Sequence, residues 1–225
     1  MSRFDVGAMM AFDLETTGTN PKECKIVTSA LVSLRSGQQP VKELRLADPG
    51  VEIPEAASNV HGITTEMARK DGAPHDQVLA ETIAGIRKGW SEGFTLIAFN
   101  AAYDLSVLHT QDPSFTVDGL VVDPFVIDKK FDKYRGGKRT LGSVCEHYNV
   151  RLDAAHDATE DALAAARLAW MQAKKWPEIA EMDGDELMEL QAISYYEDRK
   201  SLKDYFEKKG RDVSDFDLPQ TWPMY

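Results

Sequence analysis

Residues 8–18 read AMMAFDLETTG, and this stretch decides the fold. Its apolar start has the composition of a buried strand, and the strand closes on Asp13 and Glu15 with Leu14 between them. Successive side chains of a strand point to opposite faces, so both carboxylates fall on one face and Leu14 on the other. Thr16, Thr17 and Gly18 then turn the chain away. Two acids at the end of an apolar strand are costly to desolvate without a positive partner. A hard divalent cation held by oxygen ligands supplies one. Alone, D-x-E at a strand end is a common pattern and carries little weight.

Working outward, residues 25–35 are rich in Ile, Val and Leu, and 41–47 alternate as VKELRLA before the turn formers Asp48, Pro49 and Gly50. Three strands with short connections predict an antiparallel meander. After Pro54 the pattern becomes helical, most clearly over 76–90, where Val78, Leu79, Ile83 and Ile86 share a stripe. A short apolar strand at 94–99 follows. Helix-like and strand-like pieces then alternate at 102–109, 120–122, 140–148 and 158–174. The order predicts an α/β fold with a mixed five-stranded sheet and helices on both faces. Trp176 and Pro177 close this unit. Over 185–209, Leu187, Leu190, Ile193 and Tyr196 form the apolar stripe of a further helix that stops at Gly210. Two regions are therefore expected, a catalytic-size domain over 1–176 and an acidic helical C-terminal extension over 177–225.

The chain has 225 residues, 43% hydrophobic and 28% charged, the profile of a globular protein with a sizeable core. Cys24 and Cys145 are far apart and form no C-x-x-C, which argues against a disulfide framework or a thiolate zinc site. There is no apolar run of the roughly 18 residues needed for a membrane span, and no basic-then-apolar leader, so no membrane partner is expected and the location expected is cytoplasmic. The 26 basic and 37 acidic residues give a net charge of −11, which at first argues against a nucleic-acid binder. The distribution changes that reading, because residues 177–225 hold 6 basic and 13 acidic residues. The one basic cluster, Lys129, Lys130, Lys133, Arg135, Lys138 and Arg139 with Tyr134 inside it, suits contact with phosphates.

Two more pieces carry candidate chemistry. In 96–108, LIAFNAAYDLSVL, an apolar strand delivers Asn100, and Asp104 follows near the start of a helix. In 156–170, HDATEDALAAARLAW, Asp157 and Glu160 have capping-box spacing, which sets Asp161 about one turn into the helix and leaves His156 on the loop before it. The Ala-rich face of that helix permits close approach to a sheet, bringing Asp161 toward the strand that carries Asp13. The segment RGGKRT at 135–140 fails as a phosphate loop, since Asp132 and Arg139 stand where Gly and Ser or Thr are required.

Together these pieces resemble the three motifs of the DEDDh branch of the DnaQ-like 3′→5′ exonuclease superfamily, which includes the proofreading epsilon subunit of bacterial DNA polymerase III. D-x-E-T-T-G matches residues 13–18; the second motif matches Asn100, Tyr103 and Asp104, with Tyr where Phe is more usual; H-x4-D matches His156 and Asp161. A softer match, VEIPEAASNVHGIT at 51–64, is similar to the segment that lines the family's terminal-nucleotide cleft. The resemblance implies a ribonuclease H-like sheet and two Mg²⁺ or Mn²⁺ ions, with Asp13, Glu15 and Asp161 holding one and Asp13 with Asp104 the other. It implies His156 as general base, a job suited to a side chain that titrates near neutrality. Thr16, Thr17, His61, Ile63, Asn100 and Tyr103 are the expected contacts to the terminal nucleotide. Lys138 and Arg139, from the basic cluster, are expected upstream of it.

The leading expectation is removal of 5′-mononucleotides from single-stranded or frayed DNA 3′ ends. An RNA-trimming enzyme of the same superfamily would use the same site residues, because the choice rests on contacts to the sugar 2′ position. A non-catalytic adaptor that recruits a DNA polymerase, or a second copy of itself through the C-terminal helix, has no need of all five motif residues. The tail is the part that the resemblance leaves unexplained.

Overall fold

The computed structural model describes residues 1–152, 157–214, 216, 218–219 and 221–225. Among them the sheet has six strands in the order β4-β3-β2-β1-β5-β6. Strands β1 (Ala8–Thr16), β2 (Ile26–Arg35) and β3 (Val41–Asp48) form the antiparallel meander that the sequence predicts, and β5 (Thr95–Ile97) and β6 (Val121–Val122) add on the other side of β1 in parallel. The sixth strand, absent from the five expected, is β4 (Ala73–Pro74), a two-residue piece parallel to the end of β3. Its brevity and its proline leave almost no strand signal to read.

The alternation along β1 divides the core. Met10, Phe12 and Leu14 belong to the apolar layer beneath α3 (His75–Ser91) and α4 (Ala101–Gln111). Met9 and Ala11 face the opposite layer, where Ala162, Ala165, Ala166 and Ala169 of α7 (Ala158–Lys175) lie on the sheet. Small side chains let this helix come close, as their spacing predicts. Helices α1 (Glu55–His61) and α2 (Thr65–Asp71) follow β3, while α5 (Pro124–Phe131) and α6 (Leu141–Tyr148) link β6 to α7.

Beyond α8 (Glu178–Glu181) the chain enters α9 (Gly184–Lys208), which packs against its own chain beside α5 and β6. Its buried face differs from the stripe read from the sequence. Leu187, Gln191, Ser194 and Tyr195 are buried, whereas Ile193 and Tyr196 are 49% and 42% exposed. A repeat of three falls short of the 3.6-residue helical turn, so that stripe winds off the contact face. Both cysteines are free and buried. None of the described helices is long and apolar enough to cross a membrane.

Candidate active site

Asp13 and Glu15 continue the face of β1 that carries Met9 and Ala11, so they point toward α7. The register with β2 shifts between Glu15 and Thr16, a bulge of the kind that ends pairing and re-aims side chains beside functional sites. At the start of α7 the Asp157 carboxylate accepts hydrogen bonds from the Thr159 and Glu160 amides at 3.0 and 3.1 Å, and Asp161 follows one turn in. The cap predicted from the sequence is thus present, while Glu160 pairs with Lys42 at 3.5 Å. The outcome is that carboxylate oxygens of Asp13, Glu15 and Asp161 all lie within 4.8 Å of one another.

Asp104 is buried on the first turn of α4, and its Oδ1 accepts the Leu14 amide at 3.2 Å. That bond ties α4 to the strand between the two acids. Asp13 is held well above the ordinary carboxylate range by burial first, then by the charges of Asp104, Glu15 and Asp161. Asp104 is likewise raised, by burial against the partial relief of its backbone hydrogen bonds. The Glu15 carboxyl is pushed up to about 7 by burial and by Asp161 and Asp157. Crowded, desolvated carboxylates with oxygen-only donors fit a hard divalent cation, whose charge would offset both their mutual repulsion and the cost of burying them.

A cleft of about 660 Å³ opens beside these acids, lined by Glu15, Thr16, Thr17, His61, Asn100 and Tyr103 among others. A second recess of about 400 Å³, with Glu15, His61, Ile63 and Asp157 on its wall, adjoins it. The Thr16 hydroxyl donates to the Gly18 carbonyl at 2.8 Å and meets the Tyr103 hydroxyl at 2.6 Å. The Tyr103 hydroxyl also bonds the Gly18 carbonyl. Thr17 Oγ1 accepts the Lys25 amide at 2.9 Å. These bonds fix the turn after β1. His61 Nδ1 accepts the Ile63 amide at 3.2 Å, and burial lowers its pKa, partly offset by the Thr16 backbone. Ile63 also packs against Val27, Ile53 and Ala68.

Sequence reasoning missed Asp123. Its buried carboxylate accepts the amides of Asn100 and Ala101, both at 2.9 Å, and that of Phe125 at 2.9 Å. It thereby holds Asn100 in a left-handed conformation (φ 64°) at the head of α4. Asp-Pro at 123–124 is an ordinary helix-start signal, but nothing in it points to Asn100. His156 lies outside the described residues. The expected phosphate contacts divide in two: Lys138 is exposed, whereas the Arg139 guanidinium turns inward onto the buried Asp128 and the carbonyls of Asp128, Asp132, Lys133 and Arg135.

A family model for exonucleases, RNase_T, matches residues 10–169. The DNA polymerase III PolC-type of Listeria welshimeri is 30% identical over 175 residues, 76% of this chain and 12% of that protein. That of Clostridium perfringens is 30% identical over 178 residues, 77% of this chain and 12% of that protein. The chain thus spans about 12% of the length of these relatives. A structure of Exonuclease I superimposes with a TM-score of 0.66 at 17% identity, covering 78% of this chain and 42% of that one. E. coli Exonuclease I in complex with a dA16 oligonucleotide gives 0.62 at 18%, with coverage of 78% and 42%. These structural likenesses concern the fold; the family match covers the strand, helix and acids of the site itself. The chain belongs to the RNase_T family of exonucleases.

Proposed function

We propose that this chain removes 5′-mononucleotides from the 3′ ends of single-stranded or frayed DNA, using two Mg²⁺ or Mn²⁺ ions. The observation that carries the reading is the meeting of Asp13, Glu15 and Asp161 within 4.8 Å of one another, with Glu15 on the wall of the cleft. The family uses divalent metals, and the donor set here suits them. Asp13, Glu15 and Asp161 would hold one ion, and Asp13 with Asp104 the second. When bound, such ions polarise the phosphoryl oxygens and ease deprotonation of water. His156, just before the Asp157 cap, accepts the proton of the attacking water.

The remaining roles belong to the cleft. Thr16 and Thr17 present a turn whose hydroxyls are already engaged, so their backbone meets the terminal nucleotide. His61 and Ile63 pack on its sugar and base, and Asn100 and Tyr103 close the other wall. Lys138 reaches phosphate upstream, with Arg139 holding its loop. Residues 1–176 form the exonuclease domain and 177–225 an extension, in keeping with a family match that ends at 169. DNA is favoured as substrate by the names of the relatives and by the dA16 complex of E. coli Exonuclease I. The PolC-type relatives also support action beside a DNA polymerase, and a homodimer would use the exposed Ile193 and Tyr196 of α9.

The test uses 5′-labelled single strands of DNA and RNA of equal sequence, with Mg²⁺ and with chelator. A ladder shortened from the 3′ end, stronger on DNA and abolished by chelator, supports the reading. A ladder on RNA alone reassigns the substrate, and cleavage that survives chelation overturns the metal mechanism.

A further inference from the structure

The six basic residues between 129 and 139 are not equivalent. Lys129 donates to Asp198 at 2.6 Å and lies over the Phe125 ring. Arg135 and Arg139 both turn onto Asp128, which is fully buried and also accepts from the Tyr148 hydroxyl at 3.1 Å. Arg139 donates in addition to four carbonyls of 128–135, drawing the loop around its own guanidinium. Lys130, Lys133 and Lys138 are left exposed, with no ion pair among the described residues. Tyr134 stands between them at 94% exposure, the highest among the exposed large hydrophobic residues. A buried ion cluster thus orders a loop whose outward side chains are the Lys133 and Lys138 ammonium groups and one bare aromatic ring, with Lys130 beside it on the last turn of α5.

We infer that Tyr134 is a stacking platform for a base of single-stranded nucleic acid, flanked by Lys133 and Lys138 on the phosphates; this rests on the exonuclease reading above for the direction in which the strand runs. Cations that follow a backbone, combined with an aromatic face, are the recognition chemistry of single strands, and an ordered loop loses little conformational freedom on binding. The loop is anchored far from the acids. Asp132 pairs with Lys175 at 3.6 Å and the Phe131 ring packs tilted against Trp176, 5.3 Å between centroids, both at the C-terminal end of α7. Asp161 lies fourteen residues earlier on that helix, about 21 Å along its axis. Tyr134 therefore meets the strand upstream of the scissile bond.

The test measures the dissociation constant of the full chain for a labelled long single strand and for a blunt duplex of the same sequence, by fluorescence anisotropy with chelator present to prevent cleavage. Tyr134→Ala should weaken single-strand binding about 5- to 100-fold and Tyr134→Phe should restore it, with duplex binding the same in all three proteins. At this exposure neither variant should shift thermal unfolding. Unchanged single-strand affinity in Tyr134→Ala, equal losses in the Ala and Phe variants, an equal loss on duplex, or a wild type that binds no single strand overturns the inference. A wild type that binds the strand through Tyr134 but does not shorten it when Mg²⁺ is added sinks the exonuclease reading alone.

Discussion

The side-chain amide of Gln191 on α9 clasps the backbone at Asp123: its Oε1 accepts the Asp123 amide at 2.8 Å, while its Nε2 donates to the Val121 carbonyl at 2.9 Å. β6 is the outer strand of the sheet, and the bond satisfies backbone groups that an open edge leaves unpaired. Asp123 in turn positions Asn100 and the head of α4. A helix of the acidic extension is thus connected to the site through two residues. Gln191→Leu, which keeps bulk but leaves the Asp123 amide buried without its partner, should cost about 1 to 3 kcal/mol. Denaturant unfolding checks it; an unshifted midpoint would show that the edge needs no cover.

The raised carboxyls of Asp13, Glu15 and Asp104 set a pH dependence. Without metal, the native state holds more protons than the unfolded chain between about 4 and the about 7 of Glu15. Stability is then greatest at the bottom of that window and falls as pH rises through it. The depressed carboxyls of Asp112 and Asp132 act below the window. Bound Mg²⁺ requires the deprotonated acids, so the stabilisation it gives should grow as pH rises through that window. Thermal melts in chelator and in Mg²⁺ across the window provide the check. Metal-free stability that rises with pH would refute the crowding of these acids.

Asp13→Asn follows from the same crowding. It removes a carboxyl whose ionised form is disfavoured by burial and by the charges of Asp104, Glu15, Asp161 and Asp157, so the metal-free protein should gain about 1 to 3 kcal/mol near neutral pH. Turnover should fall by more than about 100-fold. A variant that is both destabilised and active would contradict both halves of the argument.

His156→Ala should lower turnover by about 10² to 10⁴ with the affinity for Mn²⁺ retained. Calorimetry beside single-turnover kinetics separates the two effects. A near-wild-type rate would remove His156 from the mechanism.

How much of this was legible depends on the kind of contact. The alternation of Met9, Ala11, Asp13 and Glu15 against Met10, Phe12 and Leu14 follows from the period of a strand, and the Asp157 cap from local chemistry. Both needed only neighbouring residues, and together with the Ala face of α7 they anticipated the meeting of Asp13, Glu15 and Asp161. The Gln191–Asp123 contact joins polar residues 68 positions apart that carry no apolar signal, so the buried face of α9 was misplaced toward Ile193 and Tyr196. The basic cluster reads as uniform charge because the buried Asp128 that draws Arg135 and Arg139 inward looks, in sequence, like any other acid in a helix.

The most direct test of the central claim is anomalous diffraction from crystals soaked in Mn²⁺. The account predicts a peak among the carboxylates of Asp13, Glu15 and Asp161, lost in Asp161→Asn. A site that stays empty at saturating Mn²⁺, or a peak that Asp161→Asn leaves in place, would contradict it.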